Sequence, residues 1–172
     1  MKIKIVFFVL FFISVVDVKA QVTELSTSPK YKAYALFFMS TTCPLCKQYS
    51  NDITKYILKY PNISFTLIYP NKEKNKSLKK FHQQYNLNIP YIADKDHELS
   101  KKYNVAVTPE VVILDSIKNV IYQGCIDNWA IAPSVYRKII TSNYLENAIA
   151  AYLSGRIIET KFTKPIGCFL EK

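Results

Sequence analysis

Four cysteines carry the chemistry open to this sequence: Cys43 and Cys46, two residues apart in STTCPLCKQ, and the distant Cys125 and Cys168. A pair at the closer spacing can form a disulfide only where the backbone turns tightly, and the first turn of a helix supplies that turn. A helix start also acts on sulfur. Its unpaired N–H groups and the positive end of the macrodipole stabilise a thiolate, the species that attacks disulfides. With Cys43 at such a start, it is the expected attacking thiol, and Cys46, one turn further in and less exposed, is expected to resolve the mixed disulfide. Thr42, Pro44 and Leu45 flank the pair, and Pro44 suits a first turn because its missing N–H costs nothing there.

Other uses of a CxxC pair compete with this one. A structural zinc site needs four ligands, and Cys125 and Cys168 are not spaced as a second CxxC. A purely structural bridge is open to any exported cysteine pair, although such bridges usually span longer loops. Covalent haem attachment would need a histidine directly after Cys46, where Lys47 stands.

The elements that must position these residues can be read from the apolar pattern. Residues 33–39 (AYALFFM) form a continuous apolar run of strand length. After the cysteines, Tyr49, Ile53, Tyr56, Ile57 and Tyr60 recur at steps of three and four, predicting a helix from Cys46 that stops before Pro61. Residues 63–69 (ISFTLIY) predict a strand, about 73–85 a helix, 89–93 a short extended piece, and 96–103 a short helix with Asp94 or Asp96 as cap. Thr108-Pro109 precedes a strand at 110–114, and a hairpin-length connection leads to 120–124, so these two strands are expected to be antiparallel neighbours. Residues 129–141 look irregular; Trp129, Tyr136 and Tyr144 could flank a groove or simply pack. The last helix should centre on Leu145, Ile149, Tyr152 and Leu153, with Asn143 and Glu146 spaced as a capping box and Gly155 as its stop. A tail, 156–172, follows.

The 172 residues, 49% of them hydrophobic, suit one globular domain. Only three glycines are present, Gly124, Gly155 and Gly167, which excludes glycine-rich phosphate loops of the Walker or Rossmann kind. At the N-terminus, Lys2 and Lys4 precede an apolar stretch at 5–16, and Val18-Lys19-Ala20 has the small or aliphatic residues of a cleavage site. This predicts a signal peptide over 1–20, cut near Ala20, and a single domain over 21–172 in an extracytoplasmic, periplasmic or secreted, setting. A retained N-terminal anchor is the alternative. The net charge is +10, but all basic residues except Arg137 and Arg156 are lysine. Nucleic-acid readers rely on arginine, so no nucleic-acid partner is expected; peripheral attraction to anionic membrane surfaces fits better. In an oxidising compartment, Cys125 and Cys168 are most simply a second disulfide pinning the tail to the 120–124 strand. Exchange of Cys168 with Cys43 or a partner, and intermolecular pairing, stay open.

The chain resembles the thioredoxin superfamily, in particular exported TlpA-like redoxins. The residues that carry the likeness are LFFMSTTCPLC (36–46), ELSKKYNVAVTPEVVILD (98–115), VIYQGCIDN (120–128) and YLENAIAAYLSGRIIETKFTKPIGC (144–168). The last resembles a redoxin subgroup ending in Lys-Pro-x-Gly-Cys. The resemblance implies an α/β thioredoxin-like fold with a central mixed β-sheet flanked by α-helices, Cys43 as attacking and Cys46 as resolving thiol, and a cis Pro109 facing them. Thr108 and Pro109 would then bind an extended substrate, since a cis bend bares the Thr108 backbone for pairing. The implied activity is thiol:disulfide exchange with protein dithiols or disulfides and a redox partner, in the reducing direction and without a cofactor or metal.

Departures bear on proton handling. Thr42 stands where many thioredoxins have Trp, Phe37 where thioredoxin has a buried Asp, and Tyr49 where some TlpA-like reductants have Glu. Glu110 is the nearest acid by sequence, or else an ordinary strand-start residue. Two further activities compete. Ser40 fits a peroxidase pattern, but Leu36 replaces its proline and only Arg137 and Arg156 could serve as its arginine. A copper chaperone would use CxxxC and a distant histidine, whereas His82 and His97 lie in segments that look like helix surface. Outside enzymes, a thioredoxin-like module could present the Thr108-Pro109 groove to a partner, with its cysteines as a static bridge.

Overall fold

A computed structural model describes residues 31–132 and 134–171. The expected signal peptide and nearly all of the polar lead-in at 22–32 lie outside the described residues. Strand β1 (Ala33–Phe38) is followed by α1 (Pro44–Lys59), β2 (Ile63–Tyr69), α2 (Asn75–Gln84), β3 (Tyr91–Ala93) and α3 (Glu98–Lys102). Next come β4 (Val107–Thr108), β5 (Glu110–Asp115), β6 (Val120–Gly124), β7 (Ala130–Ala132), β8 (Val135–Tyr136), α4 (Tyr144–Leu153) and β9 (Cys168–Phe169).

Five strands form the central sheet in the order β3-β2-β1-β5-β6. β1, β2 and β3 run parallel, while β5 is antiparallel to β1 and β6 to β5. β1 is central, and all six of its side chains are buried, which explains why its sequence shows no apolar and polar alternation. Its side chains still alternate between two layers. Ala33, Ala35 and Phe37 join Val111 and Ile113 of β5 in a core that takes in Leu45, Cys46, Tyr49 and Ile53 of α1, Leu78 and Phe81 of α2, and Leu145 and Ile149 of α4. Tyr34, Leu36 and Phe38 join Val112 and Leu114 in the other layer, under Tyr103, Val105 and Leu99. The α/β class and the flanking helices are as expected.

Several local expectations change. The irregular stretch at 129–141 holds a small hairpin in which β7 pairs antiparallel with β8. The Asn143 side chain makes no cap bond to α4; Glu146 instead pairs with Lys59 of α1 across the interface. The N-cap of α3 is His97 rather than Asp94 or Asp96, but the Asp94 carboxylate still reaches the first turn, accepting the Leu99 and Ser100 N–H groups at 3.1 and 2.9 Å. His82 is not a bare surface residue: its ring contacts the Tyr69 hydroxyl at 3.0 Å and the Leu87 carbonyl at 2.9 Å. Among the described residues no helix is long and apolar enough to cross a membrane.

Candidate active site

Parallel pairing places the C-terminal ends of β1 and β2 side by side, and the loop from β1 into α1 is built against the loop after β2. Met39 donates its N–H to Ile68 at 2.8 Å, and Thr41 donates to Glu73 Oε1 at 2.9 Å. Thr42 and Ser40 tighten the turn through their hydroxyls, 2.9 Å apart. Cys43 is then delivered to the N-cap of α1 with extended backbone, its carbonyl accepting the Lys47 N–H at 3.1 Å. Pro44 opens the helix, and the first turn contains no acidic residue. The dipole at Cys43 is therefore unopposed from within the helix.

Cys46 points into the core and is wholly buried. Burial pushes its thiol up to about 12, against the Ser40 N–H, which favours the thiolate. The Ser40 N–H lies 3.3 Å from its sulfur. Glu73, whose charge pushes the thiol further up, has its second carboxylate oxygen buried without a partner.

Opposite the cysteines runs Thr108-Pro109, joined by the expected cis peptide bond. The Thr108 carbonyl oxygen is 3.3 Å from Cys43 Sγ. Glu110, by contrast, belongs to the far side of the sheet: it shares a face of β5 with Val112 and Leu114, and Gln123 donates to its carboxylate at 2.7 Å. Burial raises its pKa.

The tail corrects the expected second bridge. Cys168 is bonded to Cys43, with Cα atoms 6.0 Å apart, and Cys46 and Cys125 are free thiols. The reason is the course of the chain. Residues 161–163 run along β6, with Gln123 N–H to Lys161 O and Thr163 N–H to Gln123 O both at 3.0 Å. Cys125 is spent on that crossing, its sulfur 3.1 Å from the Lys164 carbonyl, and the tail continues past it to lay β9 antiparallel on β4. There Cys168 stands opposite Thr108 and reaches Cys43. The tail is pinned to β6 as expected, but by hydrogen bonds.

Sequence reasoning missed Glu73 and the place of Asp127. Asp127, buried, accepts the Tyr49 hydroxyl at 2.5 Å and the Trp129 N–H at 2.8 Å. The Trp129 ring stacks on Tyr136 at 4.3 Å and meets Tyr49 edge-on at 5.8 Å, so these aromatics pack together.

A family model described as AhpC/TSA family matches residues 11–123. The chain belongs to the AhpC/TSA family. Solved structures, a thioredoxin-like protein among them, share its fold. It is 25% identical to an uncharacterized conserved protein from Geobacillus kaustophilus, at a TM-score of 0.74 over 83% of this chain and 79% of that one. A hypothetical protein from Sinorhizobium meliloti 1021 is 24% identical, at 0.72 over 81% and 79%. A secreted disulfide oxidoreductase of Mycobacterium tuberculosis homologous to DsbE of E. coli shares the fold at 18% identity and 0.50, over 72% and 81%. A comparison with curated proteins finds no match. The family match ends before the tail that carries Cys168.

Proposed function

We propose that this AhpC/TSA-family redoxin is an exported thiol:disulfide oxidoreductase, in which the Cys43 thiolate attacks a substrate disulfide and Cys46 releases the product. The observation that carries this reading is Cys43 at the N-cap of α1, against the Thr108 backbone, with Cys46 buried one turn behind it. The helix start stabilises the attacking thiolate, and the Thr108 backbone offers an extended substrate its pairing edge. Once the mixed disulfide forms on Cys43, Cys46 attacks Cys43 Sγ, the Cys43–Cys46 bond closes, and the substrate thiol leaves reduced. A dithiol partner then reopens the pair. Support for export comes from the leader-like N-terminus and from the secreted relative among its structural neighbours.

The test is insulin reduction in the presence of a dithiol donor. Cys43→Ser is expected to fall to the uncatalysed rate, while a non-catalytic module would show the same rate with and without the substitution. Direction is read from the Cys43–Cys46 reduction potential: a value near roughly −270 mV supports a reductant, and one near roughly −120 mV an oxidant. Peroxidase activity has weaker support, since the Ser40 hydroxyl is paired with the Thr42 hydroxyl, Arg156 donates to Ser154 Oγ after α4, and Arg137 follows β8.

A further inference from the structure

We propose that the C-terminal tail is a substrate built into the chain, and that Cys168 is a third redox-active thiol which exchanges with Cys46 for the bond to Cys43. This rests on the dithiol reading above. Four observations converge on it. The tail occupies the pairing edge that an incoming substrate needs: β9 runs antiparallel to β4, with Cys168 opposite Thr108 and Phe169 opposite Val107. Its cysteine stands bonded to the attacking sulfur, so the bridge has the connectivity of a substrate mixed disulfide. Gly167 fits the groove closely, because a Cβ there would overlap the Thr108 carbonyl. Finally, the tail shuts the site: with it in place Cys43 is only 2% exposed.

The hold is short and local. Beyond the disulfide and the two-residue pairing of β9 with β4, the Leu170 N–H bonds Ala106 O and the Glu171 N–H bonds Asn71 Oδ1, both at 3.1 Å. A segment fastened so sparsely can leave the groove and return.

The exchange balances without an oxidant. Cys46 loses its proton and attacks Cys43 Sγ; the Cys43–Cys46 bond forms as the Cys43–Cys168 bond breaks. The bonding pair leaves on Cys168 Sγ, which takes up a proton. One disulfide is present before and after, and the reverse step begins with the Cys168 thiolate. In the Cys43–Cys46 state the tail is no longer covalently held, and the groove opens to substrate or to the dithiol partner.

The test uses the purified chain and three variants, with disulfides mapped by alkylation and mass spectrometry after equilibration with oxidised glutathione. In Cys46→Ser, nearly all Cys43 is expected within the chain on Cys168; Cys43 found only as a glutathione adduct, or joined between chains, would overturn the proposal. In the fully reduced proteins, Gly167→Ala, which unseats the tail without touching a sulfur, is expected to speed alkylation of Cys43 about tenfold by raising the open fraction. An unchanged rate would overturn it. Insulin reduction by Cys43→Ser separates the two levels. Activity lost there with no Cys43–Cys168 bridge in Cys46→Ser refutes the tail's role alone, and activity retained there refutes the dithiol reading beneath it.

Discussion

At Cys46, burial removes the water that would solvate a thiolate and pushes the thiol up to about 12. The group is therefore a protonated thiol at neutral pH, and its thiolate fraction grows about tenfold with each pH unit below that value. Release of product from the Cys43 mixed disulfide is expected to accelerate steadily over roughly pH 6 to 9 without levelling off, as read in single-turnover measurements of a released chromophoric thiol. Glu73 acts in the same direction, since a nearby negative charge opposes a second one. Glu73→Gln is expected to lower the Cys46 pKa and speed release by up to about tenfold at fixed pH; slower release would instead assign Glu73 the transfer of the Cys46 proton. Neither residue's setting is written locally in the sequence. Cys43 was legible, because a helix start after a strand is a local pattern, whereas Glu73 reaches the site only because β1 and β2 run parallel and end together.

The elements that hold the site lean on two buried carboxylates. Asp127 ties α1 to the loop after β6 by accepting from Tyr49 and from the Trp129 backbone. Asp127→Ala strands both donors and is expected to destabilise the fold by about 2–3 kcal/mol, seen as a lower urea midpoint at unchanged slope. Asp94 fixes the start of α3, which precedes β4 and the Thr108 edge. Asp94→Ala is expected to cost about 1–2 kcal/mol in the same measurement. At this scale the sequence was informative wherever burial is regular: β2 and β6 were expected at the bounds they have, and α1 begins two residues earlier than its apolar stripe because Cys43 and Pro44 start it. The β7 and β8 hairpin was not legible, since its strands are two and three residues long with mostly exposed side chains. The Asn143 and Glu146 capping box failed for a tertiary reason: Glu146 pairs with Lys59 of the neighbouring helix.

Over the whole molecule, the tail crosses β6, passes Cys125 and ends in the groove beside the cysteines. Its course explains why the pairing of the cysteines was beyond local reading. Four cysteines allow several connectivities, and the choice depends on which sheet edge the last residues join. With β9 on β4, the outlying Cys168 is brought to Cys43 and the nearer-seeming Cys125 is left free. The central claim is that Cys43 attacks disulfides. It is tested most directly in a Cys46→Ser, Cys168→Ser double variant, which can neither resolve an adduct nor cover the site with a bonded tail. Exposed to a disulfide-linked dimer of the peptide KPIGCFL, the reduced variant is expected to gain one peptide on Cys43, released again by dithiothreitol. An adduct confined to Cys125, or no adduct at all, would contradict the account.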